Sequence, residues 1–238
     1  MKITAVCCTH LRPRTLGHLI QCFLDQDYPR QQRELVILDD VGQYDDQQGD
    51  GWRLVSRARR YPTLGEKRNA AAELASPDAE ALAVWDDDDL YLPWALSASV
   101  AALAHAPWSR PSLVLHAQSD GALAQHCTGG LFHGGWAYRR AAFRLVGGYA
   151  PMDNGEDQDL ARRMSRSGVA WADPIALGFL PFYVYNLTGE GGYRASSLGP
   201  NGYRRLNLRP AAKAKLQITR PPHLEQPRIL PEVRPRVF

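Results

Sequence analysis

The chain has 238 residues, of which 45% are hydrophobic and 22% charged, and its 28 Lys and Arg against 25 Asp and Glu leave a formal net charge of +3. This is an ordinary globular composition. It excludes wholesale disorder and fibrous architectures, and a chain of this size buries about 70–75% of the surface its unfolded form exposes without needing disulfide staples. No apolar run approaches the roughly 20 residues of a membrane-spanning helix, and the start MKITAVCCTHLRPR lacks the layout of a secretory signal, so a cytoplasmic location is expected.

In chain order, residues 3–8 (ITAVCC) read as a buried strand. Residues 15–26 form an amphipathic helix with Leu16, Leu19, Ile20, Phe23 and Leu24 on one face, and 34–39 (ELVILD) a second buried strand. A helix over 66–75 (EKRNAAAELA) and a third strand over 81–85 (ALAVW) follow. Apolar strands separated by helical stretches imply an α/β fold with a mostly parallel sheet flanked by helices. After Pro93 come a helix to about His105, a strand over 112–117, a Gly-rich stretch over 129–135, and helices over 137–147 and 157–167. Beyond Gly178 the pattern weakens. The expected division is one domain over 1–208 and a Pro/Arg-rich extension over 209–238.

Cys7, Cys8, Cys22 and Cys127 form no CxxC pair, and the reduced, buried reading is favoured over a zinc site built on Cys7, Cys8 and His10, because adjacent strand residues point to opposite faces.

The charge is unevenly spread. Residues 203–238 carry nine Lys and Arg against two acids, which leaves a mildly acidic body and a basic tail. A basic tail alone is no reason to expect a nucleic acid partner. Its arginines are spaced among prolines, so a solvated or body-wrapping extension is favoured over contact with a membrane surface.

The most informative segment is Asp86-Asp87-Asp88-Asp89, directly after the third strand. Adjacent carboxylates repel one another and need cations or water to neutralise them. Ligands of open parallel sheets bind beyond the carboxyl ends of strands, and oxygen ligands there suit Mg2+ or Mn2+ bridging substrate phosphates. The second strand also ends in acids, Asp39-Asp40, where a carboxylate can accept from a ribose hydroxyl or a base N–H. A third acidic group, Glu156-Asp157-Gln158-Asp159, opens a helix and reads equally well as a dipole cap or as a catalytic carboxylate. Neither GxGxxG after the first strand nor a GxxxxGK[ST] loop is present, so a dinucleotide fold and a P-loop are unsupported.

Taken together and in order, ITAVCCTHLRP, ELVILDD, LGEKRNAAAELA, WDDDDLYLP, GGWAYRRAAFRLVGGY and NGEDQDLARRM resemble the inverting glycosyltransferase family 2, on the GT-A fold, through about residues 3–165. The resemblance implies a nucleotide-diphosphate sugar donor, with UDP as the expected nucleotide, and an acceptor hydroxyl on a glycan, a lipid-linked glycan or another molecule. It also implies a role for each matching residue. Thr9, His10, Arg12, Asp40 and Arg68 fall where the family contacts the nucleotide. Asp87 falls near the ribose or sugar, and Asp86 and Asp88 form the DxD that holds Mn2+ or Mg2+. Asp157 is the second residue of the ED pair and the expected catalytic base, with Glu156 and Trp136 beside the acceptor. Two rival readings are a nucleotidyltransferase, which lacks its Gly-rich loop here, and a carbohydrate-binding module that has lost catalysis.

Overall fold

The computed structural model describes residues 1–10, 12–117 and 123–185. The extension over 209–238 and the expected domain boundary before it lie outside these residues. Strand β1 (Ile3–Thr9), helix α1 (Pro13–Leu24) and strand β2 (Arg33–Asp39) form the expected opening unit. Two strands absent from the sequence reading follow, β3 (Gln47–Gly49) and β4 (Trp52–Ser56), and then helix α2 (Leu64–Glu73) and strand β5 (Ala81–Asp86). β1 pairs in parallel with both β2 and β5, and β2 with β4, which gives the expected parallel centre.

Alternation along β5 shows why the sheet takes helices on both faces. Ala81, Ala83 and Trp85 join one core with Leu16, Leu19, Ile20 and Phe23 of α1. Leu82 and Val84 join another with residues from α2 and from the chain after residue 108. Side chains at a period of two on a strand, met by helix positions at spacings of three and four, close each face of the sheet. Phe23 meets Trp85 edge to face, with centroids 6.3 Å apart.

The register decides where the site lies. Thr9 stands beside Asp39 and Cys8 beside Asp86, so β1, β2 and β5 end level with one another. The chain then leaves the sheet through the acidic run and begins a second sheet at β6 (Leu90–Tyr91). Helix α3 (Ala95–His105) and strand β7 (Trp108–Ser109) come next, followed by the hairpin β8 (Leu113–Ala117) and β9 (Leu123–Cys127).

The helix expected over 137–147 is instead the short strand β10 (Ala137–Arg139) followed by helix α4 (Arg140–Leu145). β10 runs antiparallel between β5 and β7, and this pairing overrides the helical leaning of AYRRAAFRL. Helix α5 (Glu156–Arg166) and strands β11 (Trp171–Ala172) and β12 (Tyr183–Tyr185) complete the described chain. The main sheet has the order β11-β7-β10-β5-β1-β2-β4-β3, and the smaller one β6-β12-β8-β9. No helix among the described residues is long and apolar enough to cross a membrane.

α2 begins with Thr63 as its N-cap, paired with Glu66 three residues on. The Thr63 hydroxyl accepts from Glu66 N and donates to the Glu66 carboxylate at 2.8 Å. One residue into the helix, Gly65 N donates to Met152 O at 3.1 Å. This approach leaves no room for a side chain, since a Cβ on Gly65 would run into the Ala150 carbonyl oxygen. Gly65→Ala is expected to destabilise the protein by about 1–3 kcal/mol through overpacking, read as a lower denaturant midpoint at unchanged m value.

Candidate active site

Beyond the level ends of β1 and β5 lies a cavity of about 270 Å3, walled by the acidic run, by the start of α2 and by the loop and first residues of α5. Two aromatic side chains hold the acidic run from beneath. Asp86 N donates to the Tyr91 hydroxyl at 2.7 Å, and the Tyr183 hydroxyl donates to Asp89 at 2.5 Å. Tyr91 stacks on Trp85 with centroids 4.1 Å apart, so the loop rests on a rigid aromatic column.

Basic side chains hold the run from the other side. Arg12, in the loop between β1 and α1, donates to Asp87 at 2.7 Å and reaches Asp88 at 2.9 Å. Thr9, at the end of β1, donates its hydroxyl to the second Asp87 oxygen at 2.7 Å. Asp87 is almost wholly buried, and burial raises its pKa against the opposing pull of Arg12 and Thr9. Asp88 is pushed up to about 7, first by burial and then by the neighbouring Asp87 charge.

Arg68 of α2 crosses the cavity floor. Its Nε donates to Glu156 at 3.1 Å, and its Nη2 reaches Asp86 at 3.4 Å. Burial works against its charge, but Asp86, Tyr149 and Glu156 more than restore it and hold its pKa well above the ordinary value. Glu156 is raised by burial despite Arg68, with Asp157 adding to the rise. Asp157 itself lines the cavity and accepts from Gln158 N at 2.7 Å.

The acids at the end of the second strand, Asp39 and Asp40, do not stand in the cavity wall. Asp39 accepts from the backbone N–H groups of Val41, Gly42 and Gln43 and from the Ser56 hydroxyl, and so builds the turn after β2. Asp40 is buried behind the wall, where it accepts from Lys67 at 2.6 Å and from His10 at 3.0 Å. Burial opposes its charge, yet these two partners hold its pKa below the usual carboxylate range.

Of the residues singled out from sequence, His10, Arg12, Arg68, Asp86, Asp87, Asp88, Glu156 and Asp157 line one cavity. Thr9 and Asp40 act from behind it. Trp136 does not fit the acceptor reading. Its ring is 1% exposed and meets Trp108 and His133 edge to face, with Arg110 over it, so what it contributes is core packing. Glu156 is spoken for by Arg68, which makes it a support for the basic floor of the cavity.

The sequence reading missed Lys67, His133 and Tyr183. Lys67 carried a signal, since LGEKRNAAAE has almost no apolar stripe and yet must pack on a sheet, so charged side chains face inward. It donates to Asp40 and to Thr9 O, and so ties β1, β2 and α2 together. His133 lines the cavity while its Nε2 meets the Tyr149 hydroxyl at 2.9 Å. Burial, reinforced by Arg68, keeps its pKa well down and the ring neutral. Among the described residues, no three His, Cys, Asp or Glu side chains are gathered into a ready-made cation site.

Asp88 carries a stability cost. A carboxyl whose pKa is raised by folding binds more protons in the native than in the unfolded state between about pH 4 and 7, so stability falls as pH rises through that window. Asp88→Asn is therefore expected to raise the thermal midpoint at pH 8 in the presence of a chelator and to flatten its dependence on pH between 4 and 7.

No protein-family model matches the chain, and no curated protein matches it by sequence. Solved structures do match. S. aureus TarS superposes with a TM-score of 0.62 at 16% identity, over 82% of this chain and 38% of TarS. Residues 1–349 of TarS in complex with UDP give 0.59 at 15%, over 82% of this chain and 63% of that one. The mannosyltransferase PcManGT of Pyrobaculum calidifontis, in complex with GDP-Man and Mn2+, gives 0.60 at 17%, over 81% and 59%. The chain thus spans less than two thirds of the length of each. At these identities the likeness is one of architecture, and with the level strand ends and the acidic switch between two sheets it establishes that the chain has the GT-A glycosyltransferase fold.

Proposed function

We propose that the chain is a metal-dependent, inverting glycosyltransferase that moves a sugar from a nucleotide-diphosphate donor, a UDP-sugar first among the candidates, to an acceptor hydroxyl. One observation carries this reading. On a GT-A fold, the acids after β5 and the carboxylate of Asp157 at the start of α5 face the same cavity. TarS is known in complex with UDP, and PcManGT with GDP-Man and Mn2+, so nucleotide diphosphates and a divalent cation are the ligand classes to expect here.

The donor set fits such a cation. Mg2+ and Mn2+ are commonly held by one or two carboxylates, with phosphate oxygens and water completing the shell, so the lack of a closed protein site is no obstacle. Asp86 and Asp88 would hold the ion, which supplies Lewis-acid neutralisation of charge growing on the leaving diphosphate. The chain's own residues do the rest. Asp157, in the first turn of α5 and facing the same cavity as the acids after β5, takes the proton of the attacking hydroxyl. Arg68, held by Glu156, presents a fixed positive charge to the phosphates. Thr9 and Arg12 fix Asp87 at the rim, and Lys67 with Asp40 holds the end of β1 against α2.

A thermal-shift panel of UDP- and GDP-sugars with and without Mn2+ tests the donor. The expected outcome is stabilisation by one nucleotide series in the presence of the ion, on the order of 2.7 kcal/mol at a hundredfold excess over Kd. Stabilisation by a nucleoside triphosphate with release of pyrophosphate would mark a nucleotidyltransferase instead. Saccharide binding without donor turnover would mark an inactive module. Asp157→Asn is expected to retain donor and Mn2+ binding while transfer falls about 100- to 10,000-fold. Transfer at the wild-type rate in that variant would remove Asp157 from the role, and the anomeric configuration of the product tests inversion separately.

A further inference from the structure

Arg12 makes both of its ion pairs to the acidic run. Its Nη1 lies 2.7 Å from Asp87 and 2.9 Å from Asp88, and its side chain stays 21% exposed at the cavity rim. Asp87 has a second partner in Thr9, while Asp88 draws its side-chain counter-charge from Arg12. Arg68 serves Asp86 from the opposite wall. The cavity thus already contains a positive charge where a cation would have to approach Asp88.

We propose that Arg12 is the built-in counter-ion of the acidic run, bridging Asp87 and Asp88 until a nucleotide diphosphate draws its guanidinium away, so that the divalent cation enters together with the nucleotide and not before it. This rests on the transferase reading above and adds an order of events to it.

Two physical features support the exchange. A guanidinium is a planar fork that matches a diphosphate as well as it matches two carboxylates, so Arg12 can trade one set of oxygens for the other without losing its hydrogen bonds. Like charges cannot share Asp88, so a divalent cation placed there with Arg12 still bridging meets direct repulsion. A phosphate that both accepts Arg12 and supplies oxygens to the ion removes the repulsion and completes the shell in one step. The consequence is positive coupling between nucleotide and cation, and such coupling is reciprocal: UDP tightens Mn2+ by the same factor by which Mn2+ tightens UDP.

The test measures Mn2+ binding to the full chain by the electron paramagnetic resonance of free Mn2+, with and without UDP. It compares wild type with Arg12→Gln and Arg12→Lys, each checked for folding by its thermal midpoint. In wild type, Mn2+ alone is expected to bind weakly and UDP to tighten it by about 10-fold or more. In Arg12→Gln, Mn2+ alone is expected to bind about 10-fold tighter than in wild type, and the tightening by UDP to shrink. Arg12→Lys keeps the charge but loses the longer guanidinium whose Nη1 meets both carboxylates, so it should fall between the two.

If neither variant binds Mn2+ more tightly than wild type in the absence of UDP, the proposal is overturned, and Arg12 is then an ordinary phosphate contact. Should Arg12→Gln fail to fold, the Arg12→Lys comparison decides by the same criterion. Failure of the wild-type protein to bind any nucleoside diphosphate would overturn the transferase reading, while the comparison without nucleotide would still decide whether Arg12 holds the cation off.

Discussion

The whole site depends on one electrostatic constraint: four consecutive carboxylates, Asp86 to Asp89, leave a buried strand together and must each be given somewhere to put their charge. Each acid finds a different answer. Asp86 faces Arg68, Asp87 is clasped by Thr9 and Arg12, Asp88 leans on Arg12, and Asp89 turns away to the Tyr183 hydroxyl. These partners come from β1, α2, β12 and the loop before α1. The run therefore acts as a nail through the domain, and the sheet, the helices and the second sheet are all located relative to it.

The parallel register makes this possible. Because β1, β2 and β5 end level, Thr9, Asp39 and Asp86 arrive at one edge, and side chains as short as Thr9 can act across strands. Helix α2 is then drawn onto that edge by charge more than by apolar contact. Lys67 reaches Asp40 and Thr9 O, and Arg68 reaches Asp86 and Glu156. Each is a buried charge with a partner, and such pairs fix geometry at little net gain in stability, since desolvation offsets much of the attraction.

Much of this was legible in the sequence, and the rest was hidden for physical reasons. The three central strands were readable because burial on both faces makes them continuous apolar runs, and the acidic run was conspicuous because four adjacent carboxylates after a buried strand need counter-charges or water. β10 was misread as helix since AYR carries no strand signature of its own and is a strand only because β5 and β7 flank it. β3 and β4 were missed for a related reason: β3 is three residues with two exposed, and β4 buries the adjacent Leu54 and Val55, so neither shows a period of two. Among site residues, sequence order found those that line the cavity but could not separate them from the layer behind. Asp40 and Thr9 were expected to face a nucleotide, and yet they direct their polar atoms inward, to Lys67, His10 and Asp87. Trp136 shows the opposite error, because an aromatic beside two glycines suggests a sugar platform until its ring is seen closed in by Trp108 and His133.

The same geometry explains why the floor of the cavity and its rim are built differently. Arg68 is enclosed, its charge restored by Asp86 and Glu156, and it cannot leave without stranding the buried Glu156. Arg12 stands at the rim on a long side chain, and were it to move away Thr9 would still donate to Asp87 while water or a cation could take over Asp88. A transferase must hold a diphosphate firmly while bonds change and then let the nucleotide go. On the transferase reading proposed above, Arg68 would be the fixed cation and Arg12 the exchangeable one, and only the exchangeable one could make entry of the metal depend on the presence of the donor.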